Sequence, residues 1–346
     1  MGVAYLVYPG ATHTRFEHSL GVMEVADKIY SKLRPNPDPY WKQILRLAAL
    51  CHDMGHLPFS HTAEKRLLPV GGHEQMTRKL IESDELKAIW KEIGPNACAD
   101  IIRLSVENHS LKVSDEERFL AKIITEDNFG ADRIDYLLRD AYYTGASYGH
   151  FDYHQLIDCL KIIETPTPTI GILMAGMQSV ESLWIARYMM YARVSHHSKV
   201  RLFSQHMGRV MEAYYQDVGF PKTVEGYIKE RDYTILTVVQ HYADQGNYHA
   251  CALLQRNKPF QEVVWTRAFN QTALQQEFSS HILIDHVEQK KGHRDFPVLL
   301  ENNVQISSKE ASPFLTTIPL GVKGPFLFAH PNWTSKVHSW LATHHE

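Results

Sequence analysis

Residues 44–61 read Ile44-Leu45-Arg46-Leu47-Ala48-Ala49-Leu50-Cys51-His52-Asp53-Met54-Gly55-His56-Leu57-Pro58-Phe59-Ser60-His61. The spacing predicts a helix from about Trp41, with Ile44, Leu45, Ala48 and Cys51 on its apolar side. Gly55 stops it, and Leu57-Pro58-Phe59-Ser60 forms a loop. His52 and Asp53 therefore fall together at a helix end. Consecutive side chains on a regular helix diverge by about 100°. Both can face one ion most easily where the helix breaks. An imidazole beside a carboxylate suits Mn, Fe, Co, Ni or Zn better than calcium. A lone His-Asp pair is a common chance match, so its surroundings decide what it means.

Upstream, residues 9–22 read PGATHTRFEHSLGV. Thr14-Arg15-Phe16-Glu17 has capping-box spacing, and Leu20, Met23, Ala26, Ile29, Tyr30 and Leu33 continue with a helical period. Pro35, Pro37 and Pro39 end that helix, which carries His18. Downstream stand His56, His61 and His73. Shorter helices are expected over about 61–68, 73–82 and 97–106. Ser114-Asp115-Glu116-Glu117 is a second capping box, opening a helix through Thr125. Gly130 precedes a helix from Ala131 to about Tyr143, whose polar stripe is Asp132, Tyr136 and Asp140. Three helices can bring His18, His52, Asp53 and Asp132 around one cation, leaving positions for water and substrate.

Thr165-Pro166-Thr167-Pro168-Thr169 reads as a turn or linker, followed by long helical patterns over about 174–198 and 201–216. After Phe220-Pro221 the character changes. Short helices are expected over 223–256, then strands at Val263-Val264-Trp265-Thr266 and His281-Ile282-Leu283-Ile284. The expected fold is mostly α: a helical core over residues 1–220 and a smaller α+β C-terminal region over 221–346.

Composition narrows the class. The 346 residues are 44% apolar and 22% charged, which excludes a disordered chain. Lys plus Arg is 36 and Asp plus Glu is 39, so a whole-surface affinity for nucleic acid is unsupported. Ile170 to Met177 is the longest obvious apolar run, far short of the ~18 residues of a membrane span. Cys51, Cys98, Cys159 and Cys251 are scattered, which suits reduced thiols in a cytoplasmic protein rather than a disulfide framework or a zinc ribbon. The N-terminus lacks a signal-peptide pattern, and Leu6 breaks the myristoylation pattern. The 21 histidines invite a metal or acid–base reading.

The ordered set H…HD…D, with RFEHSLGV, HDMGHLPFSH, GHEQ and ADRIDYLLRDAYYTG, resembles the HD-domain metal-dependent phosphohydrolases. Within them it most resembles the deoxynucleoside triphosphate triphosphohydrolases. The resemblance is strongest over residues 2–153 and continues to about 200. It implies a divalent transition metal (Mn, Fe, Co, Ni or Zn) on His18, His52, Asp53 and Asp132, a nucleotide substrate with Mg accompanying its triphosphate, and a homo-oligomer. It also implies that His73 protonates the leaving oxygen, with Glu64 as its acidic partner. Arg15, His56, His61, Arg133, Tyr136 and Arg187 match positions that face the triphosphate, and Asp140 matches the residue that receives the sugar 3′-hydroxyl. Arg187, with Tyr191, Ser195 and Lys199 at steps of four, also reads as a solvated helix face.

There are three departures from the family pattern. Arg133 stands where the family often has Lys, and Ser195 where it commonly has Tyr. Met1 falls where the family has a longer N-terminal segment ending in Gln-Leu-Gly, which implies a truncated or altered start. Two alternatives stay open. One is an HD phosphohydrolase acting on another nucleotide, as a monophosphatase or phosphodiesterase. The other is a nucleotide-binding module with little turnover.

Overall fold

Thr14 starts the first helix, α1 (Arg15–Leu33). Its hydroxyl accepts the Glu17 N–H at 3.1 Å, and the Glu17 carboxylate accepts the Thr14 N–H at 2.6 Å. Asp38 starts α2 (Pro39–Cys51), its carboxylate accepting the N–H groups of Tyr40 and Trp41. There follow α3 (Glu64–Leu67), α4 (Gly72–Ile81), α5 (Asp84–Ile93), α6 (Ala97–Ser105), α7 (Asp115–Thr125), α8 (Ala131–Thr144) and α9 (Tyr153–Asp158). The computed structural model describes residues 2–68, 70–107, 111–163, 167–256, 259–265, 268–287, 295–319 and 325–344. Met1, Thr165 and Pro166 of the expected linker, and Thr266 of an expected strand lie outside these.

The helical core forms as expected, with α1 lying against both α2 and α8. Ile29, Ile44, Leu45, Ile101, Leu120 and Ile134 meet in its interior without exposure. Each such side chain contributes about 1.5–3 kcal/mol through burial. This packing fixes α1, the end of α2 and the first turn of α8 relative to one another, and these three places carry His18, His52 and Asp132. Gly55, just past α2, lets α4 dock. A Cβ there would lie 2.1 Å from the His73 carbonyl oxygen and 2.2 Å from the Thr77 nitrogen.

Several elements differ from the sequence reading. Helix α5 has no counterpart in the sequence reading; it is amphipathic, and Trp90 is its one buried residue. The helical pattern over 174–198 divides into α10 (Met177–Met190) and a π-helical stretch over Tyr191–Ser195. Helix α11 (Ser198–Val218) then begins afresh at His197. Within the part expected to be helical, β1 (Leu160–Ile163) and β2 (Thr169–Leu173) form an antiparallel hairpin with Leu160 opposite Ile172.

The C-terminal region is α+β, as expected. Its helices include α12 (Val224–Tyr227), α13 (Asp232–Asp244) and α14 (Tyr248–Leu254). Its strands are β3 (Gln261–Glu262), β4 (Ile282–Asp285), β5 (Pro297–Leu299), β6 (Gln305–Ser307) and β7 (Phe326–Ala329). One sheet has the order β1-β2-β5-β6, with β2 parallel to β5; the other has the order β3-β7-β4. The expected strand at 263–266 is displaced. Pairing covers Gln261 and Glu262, and Val263 adds one bond from its N–H to the Leu327 carbonyl. Val264 is exposed. The four cysteines are unpaired. Among the described residues no helix is long and apolar enough to cross a membrane.

Two consequences are measurable. Gly55→Ala overfills the α2–α4 contact, and such overpacking costs about 1–3 kcal/mol; the thermal midpoint falls accordingly in calorimetry. The second concerns His206 on α11 and His249 on α14, whose Nδ1 atoms lie 2.8 Å apart. Burial pushes the pKa of His206 down to about 3. Burial, then Arg209 and Arg66, push His249 down to about 4. The unfolded chain takes up these protons near pH 6.5 and the folded chain does not, so their contribution to stability is lost as pH falls from about 6.5 toward 4. Urea denaturation across that window shows the decline, and His206→Leu makes it shallower.

Candidate active site

Helices α1 and α8 meet at His18. Its Nε2 lies 3.0 Å from Asp132 Oδ1, and its Nδ1 lies 2.7 Å from Asp135 Oδ2. His52, at the last turn of α2, brings Nε2 to 3.6 Å from the same Asp132 oxygen. One ligand atom from each of His18, His52 and Asp132 lies within 4.8 Å of the others. Asp53 flanks this group with both oxygens: Oδ2 is 3.6 Å from His18 Nε2 and Oδ1 is 3.4 Å from His52 Nε2. Arg15 holds the Asp53 carboxylate from the solvent side and also donates to the Ser60 hydroxyl.

These residues fit a divalent cation. Both imidazoles have Nδ1 engaged, His18 by Asp135 and His52 by the Ala49 carbonyl at 2.7 Å. That fixes each ring with Nε2 facing the carboxylates, as metal-binding histidines are usually held. His52 Nε2 is buried and has no hydrogen bond among the described residues. The charges agree. Burial lowers the pKa of His18, but hydrogen bonds to Asp132 and Asp135 take it up to about 9. Asp132 is held below the usual carboxylate range despite its burial, by His18 and His52. Asp53 is held there too, against its own burial, by His52 and Arg15. Two ionised carboxylates thus converge on a buried point that attracts positive charge.

A second group adjoins the first. Glu64, opening α3, bonds two imidazoles at once: Oε1 is 2.6 Å from His73 Nδ1 and Oε2 is 2.5 Å from His61 Nδ1. Oε1 also accepts the His73 N–H at 3.0 Å. Gly72 adopts φ +52°, and a Cβ on it would lie 2.6 Å from that same Oε1, so the Gly-Gly-His turn must lack a side chain there. His56 stacks on His73 with ring centroids 3.8 Å apart. Burial pushes the pKa of His56 down to about 3, so it is neutral at pH 7. His61 is 70% exposed at the mouth of this group.

The cationic side chains divide. Arg133 and Arg187 are both buried. Arg133 gives Nη2 to Asp127 at 2.9 Å, while its Nε and Nη1 have no hydrogen bond among the described residues. Arg187 lies over the Trp184 ring at 4.6 Å and beside Tyr191 at 5.8 Å, with Nη1 unbonded among the described residues. Burial and then Arg133 lower the pKa of Arg187, and Tyr136 acts on both guanidiniums. The solvated-face reading of Arg187 is therefore wrong: within α10 its side chain is buried, 6% exposed, among the core-facing residues of that helix. Buried guanidiniums with unused N–H groups are built to receive an anion.

Other side chains entered only with the structure. His13, nearly without exposure, brings Nε2 to 2.8 Å from Asp140 Oδ1 and leans on Tyr143 at 4.6 Å. Asp135 holds His18 and is itself gripped by Arg139 through two bonds of 2.8 and 2.9 Å. Both residues lie inside the quoted motifs. The steps of three and four linking Asp132, Asp135 and Arg139 were the available signal.

The HD domain family matches residues 15–140, and the HD associated region matches residues 151–295. An uncharacterised protein of Methanocaldococcus jannaschii is 39% identical over 202 residues, covering 58% of this chain and 39% of its own length. The deoxynucleoside triphosphate triphosphohydrolase SAMHD1 of Gallus gallus is 32% identical over 194 residues, covering 47% of this chain and 31% of its own. The matched part thus spans less than half the length of these curated relatives. The crystal structure of a hypothetical protein from Aquifex aeolicus superposes with a TM-score of 0.83 at 30% identity, covering 99% of this chain and 90% of that one. With its helical core and these matches, the chain belongs to the HD-domain phosphohydrolase superfamily.

Proposed function

We propose that this chain hydrolyses deoxynucleoside triphosphates to deoxynucleoside and inorganic triphosphate. The observation that carries this reading is the pair of buried guanidiniums, Arg133 and Arg187, with unused N–H groups in the same fold as the cation cluster. Arg133 follows the cluster's Asp132 directly along α8. A lone monophosphate needs fewer donors, whereas a polyphosphate engages several. Similarity to a relative bearing the triphosphohydrolase name agrees with this.

His18, His52, Asp53 and Asp132 would hold a divalent transition metal, Mn, Fe, Co, Ni or Zn. Bound there, it supplies Lewis-acid polarisation of a phosphoryl oxygen and a more acidic water. The chain's own groups do the remaining work. Arg133 and Arg187 bind the triphosphate, to which Mg also attaches, and Arg15, His56, His61 and Tyr136 line its path. Glu64 fixes the His73 ring through Nδ1, leaving Nε2 to give a proton to the departing sugar oxygen. His13 orients the Asp140 carboxylate, which receives the sugar hydroxyl. Homo-oligomeric assembly belongs to the same reading.

The test is product identity. With metal-loaded protein and a panel of deoxynucleoside triphosphates, chromatography shows deoxynucleoside and triphosphate. Monophosphate with pyrophosphate, or turnover confined to monophosphates or cyclic nucleotides, sinks the reading. Arg187→Ala and Arg133→Ala each remove charge-assisted hydrogen bonds of about 1.5–3 kcal/mol and so lower kcat/KM by about 10- to 100-fold.

A further inference from the structure

The stretch that carries Ser60 and His61 has a backbone that its own residues do not favour. Phe59 sits at φ 57°, ψ 23° and Ser60 at φ 58°, two successive left-handed residues, neither of them glycine. A Cβ makes that conformation costly, most of all for a bulky side chain. Such a turn persists only where its surroundings over-determine it. Here the holding groups come from the C-terminal region. Tyr227 on α12 donates its hydroxyl to the Gly55 carbonyl at 2.6 Å, which fixes the start of the stretch. Asp232, the first residue of α13, accepts the Phe59 N–H on Oδ1 at 3.0 Å. The Phe59 ring is buried in the cluster that Met207 and Met211 of α11 form with Ile235 and Val239 of α13. The turn has a consequence for the site. The Ser60 hydroxyl accepts from Arg15, whose guanidinium also holds Asp53. The next residue, His61, reaches Glu64.

We propose that Asp232 is a positioning residue: by holding the Phe59 amide it keeps the turn left-handed, and so sets Ser60 and, through it, Arg15 for the substrate's phosphates. Without that acceptor the Phe59 N–H loses its partner beside a buried ring, and nothing opposes the return of Phe59 and Ser60 to right-handed backbone. A change of that kind at Ser60 re-aims its hydroxyl, and Arg15 keeps only Asp53 as a partner. The C-terminal region then has a function at the cation-binding end of the helical core, although it supplies none of the cation ligands. The effect on turnover rests on the triphosphate reading; the hold of Asp232 on the turn does not.

Amide hydrogen exchange over residues 57–62, read by mass spectrometry, tests the hold directly in wild type, Asp232→Ala and Asp232→Asn. Asn keeps an oxygen that accepts the Phe59 N–H. Exchange is expected to quicken in Asp232→Ala and to stay at the wild-type rate in Asp232→Asn. Asp232 is exposed, so general unfolding is a poor explanation for a change confined to this stretch. Unchanged exchange in Asp232→Ala overturns the proposal, whatever the enzyme does. Kinetics on metal-loaded protein with deoxynucleoside triphosphates then read the route through Ser60. In Asp232→Ala, KM is expected to rise about tenfold with kcat held within about twofold, and Asp232→Asn restores it. Ser60→Ala is expected to raise KM similarly, and the double substitution no further, because both break one chain of contacts. A merely destabilised chain loses active protein, which lowers the apparent kcat and leaves KM alone. Unchanged KM, or additive effects in the double variant, overturns the route through Ser60. If the wild type turns over no deoxynucleoside triphosphate, the functional reading falls and the exchange result alone decides the role of Asp232.

Discussion

One imidazole holds the site together. His18 on α1 meets two carboxylates of α8, Asp132 at 3.0 Å through Nε2 and Asp135 at 2.7 Å through Nδ1. Burying His18 and Asp135 is costly unless each charge is matched and each lone pair bonded. The match is built from the same two helices. Asp132, Asp135 and Arg139 follow at steps of three and four along α8, so Arg139 closes on Asp135 with two bonds. Gly21, three residues after His18 on α1, makes the space. A Cβ there would lie 1.8 Å from Asp135 Oδ1. The α1–α8 contact is thus a polar lock set within an apolar interface. The position of His52, delivered by α2 against the same α1, has meaning only because that lock fixes His18.

The cost of the site is spread over neighbours that the chemistry does not touch. Arg187 is buried without a full set of bonds, and the rings of Trp184 and Tyr191 lie against its guanidinium. Cation–π contacts of this kind offset part of the lost hydration. Tyr191, four residues after Arg187, opens a stretch of π-helical winding, a feature often found at functional sites. Ser195, where an aromatic ring was expected from the family pattern, ends that stretch.

Much of this was legible in the sequence, and the failures have physical causes. The two capping boxes at Thr14 and Ser114 formed as their spacing required, because a reciprocal pair of hydrogen bonds is a local event. His18, His52 and Asp132 were found because helices of known length carried them in order. Asp135 was missed because a carboxylate four residues before an arginine reads as an ordinary solvated ion pair. The hairpin β1–β2 was missed because Leu160–Ile163 is four residues long and follows α9 without a glycine or proline break. Its sheet is completed by β5, from a distant part of the chain, and no local pattern reports such a pairing. The Arg187 stripe misled because polar residues at steps of four mark one face of a helix without saying whether that face meets solvent or the interior.

The two imidazole groups are best understood together, through Asp53. This carboxylate faces His18, His52, His56 and Arg15, and it is not one of the three residues whose ligand atoms cluster most tightly. A single charge shared among a guanidinium and three imidazoles is attracted in several directions, so where it settles depends on which neighbours carry positive charge. Arg15 always does. His56 does not at neutral pH, because its burial keeps it neutral. The carboxylate therefore stands between two charged neighbours at neutral pH, Arg15 and His18. Arg15, at the start of α1, also donates to Ser60, which directly precedes His61 in the chain and so ties the first cluster to the stretch that carries the second.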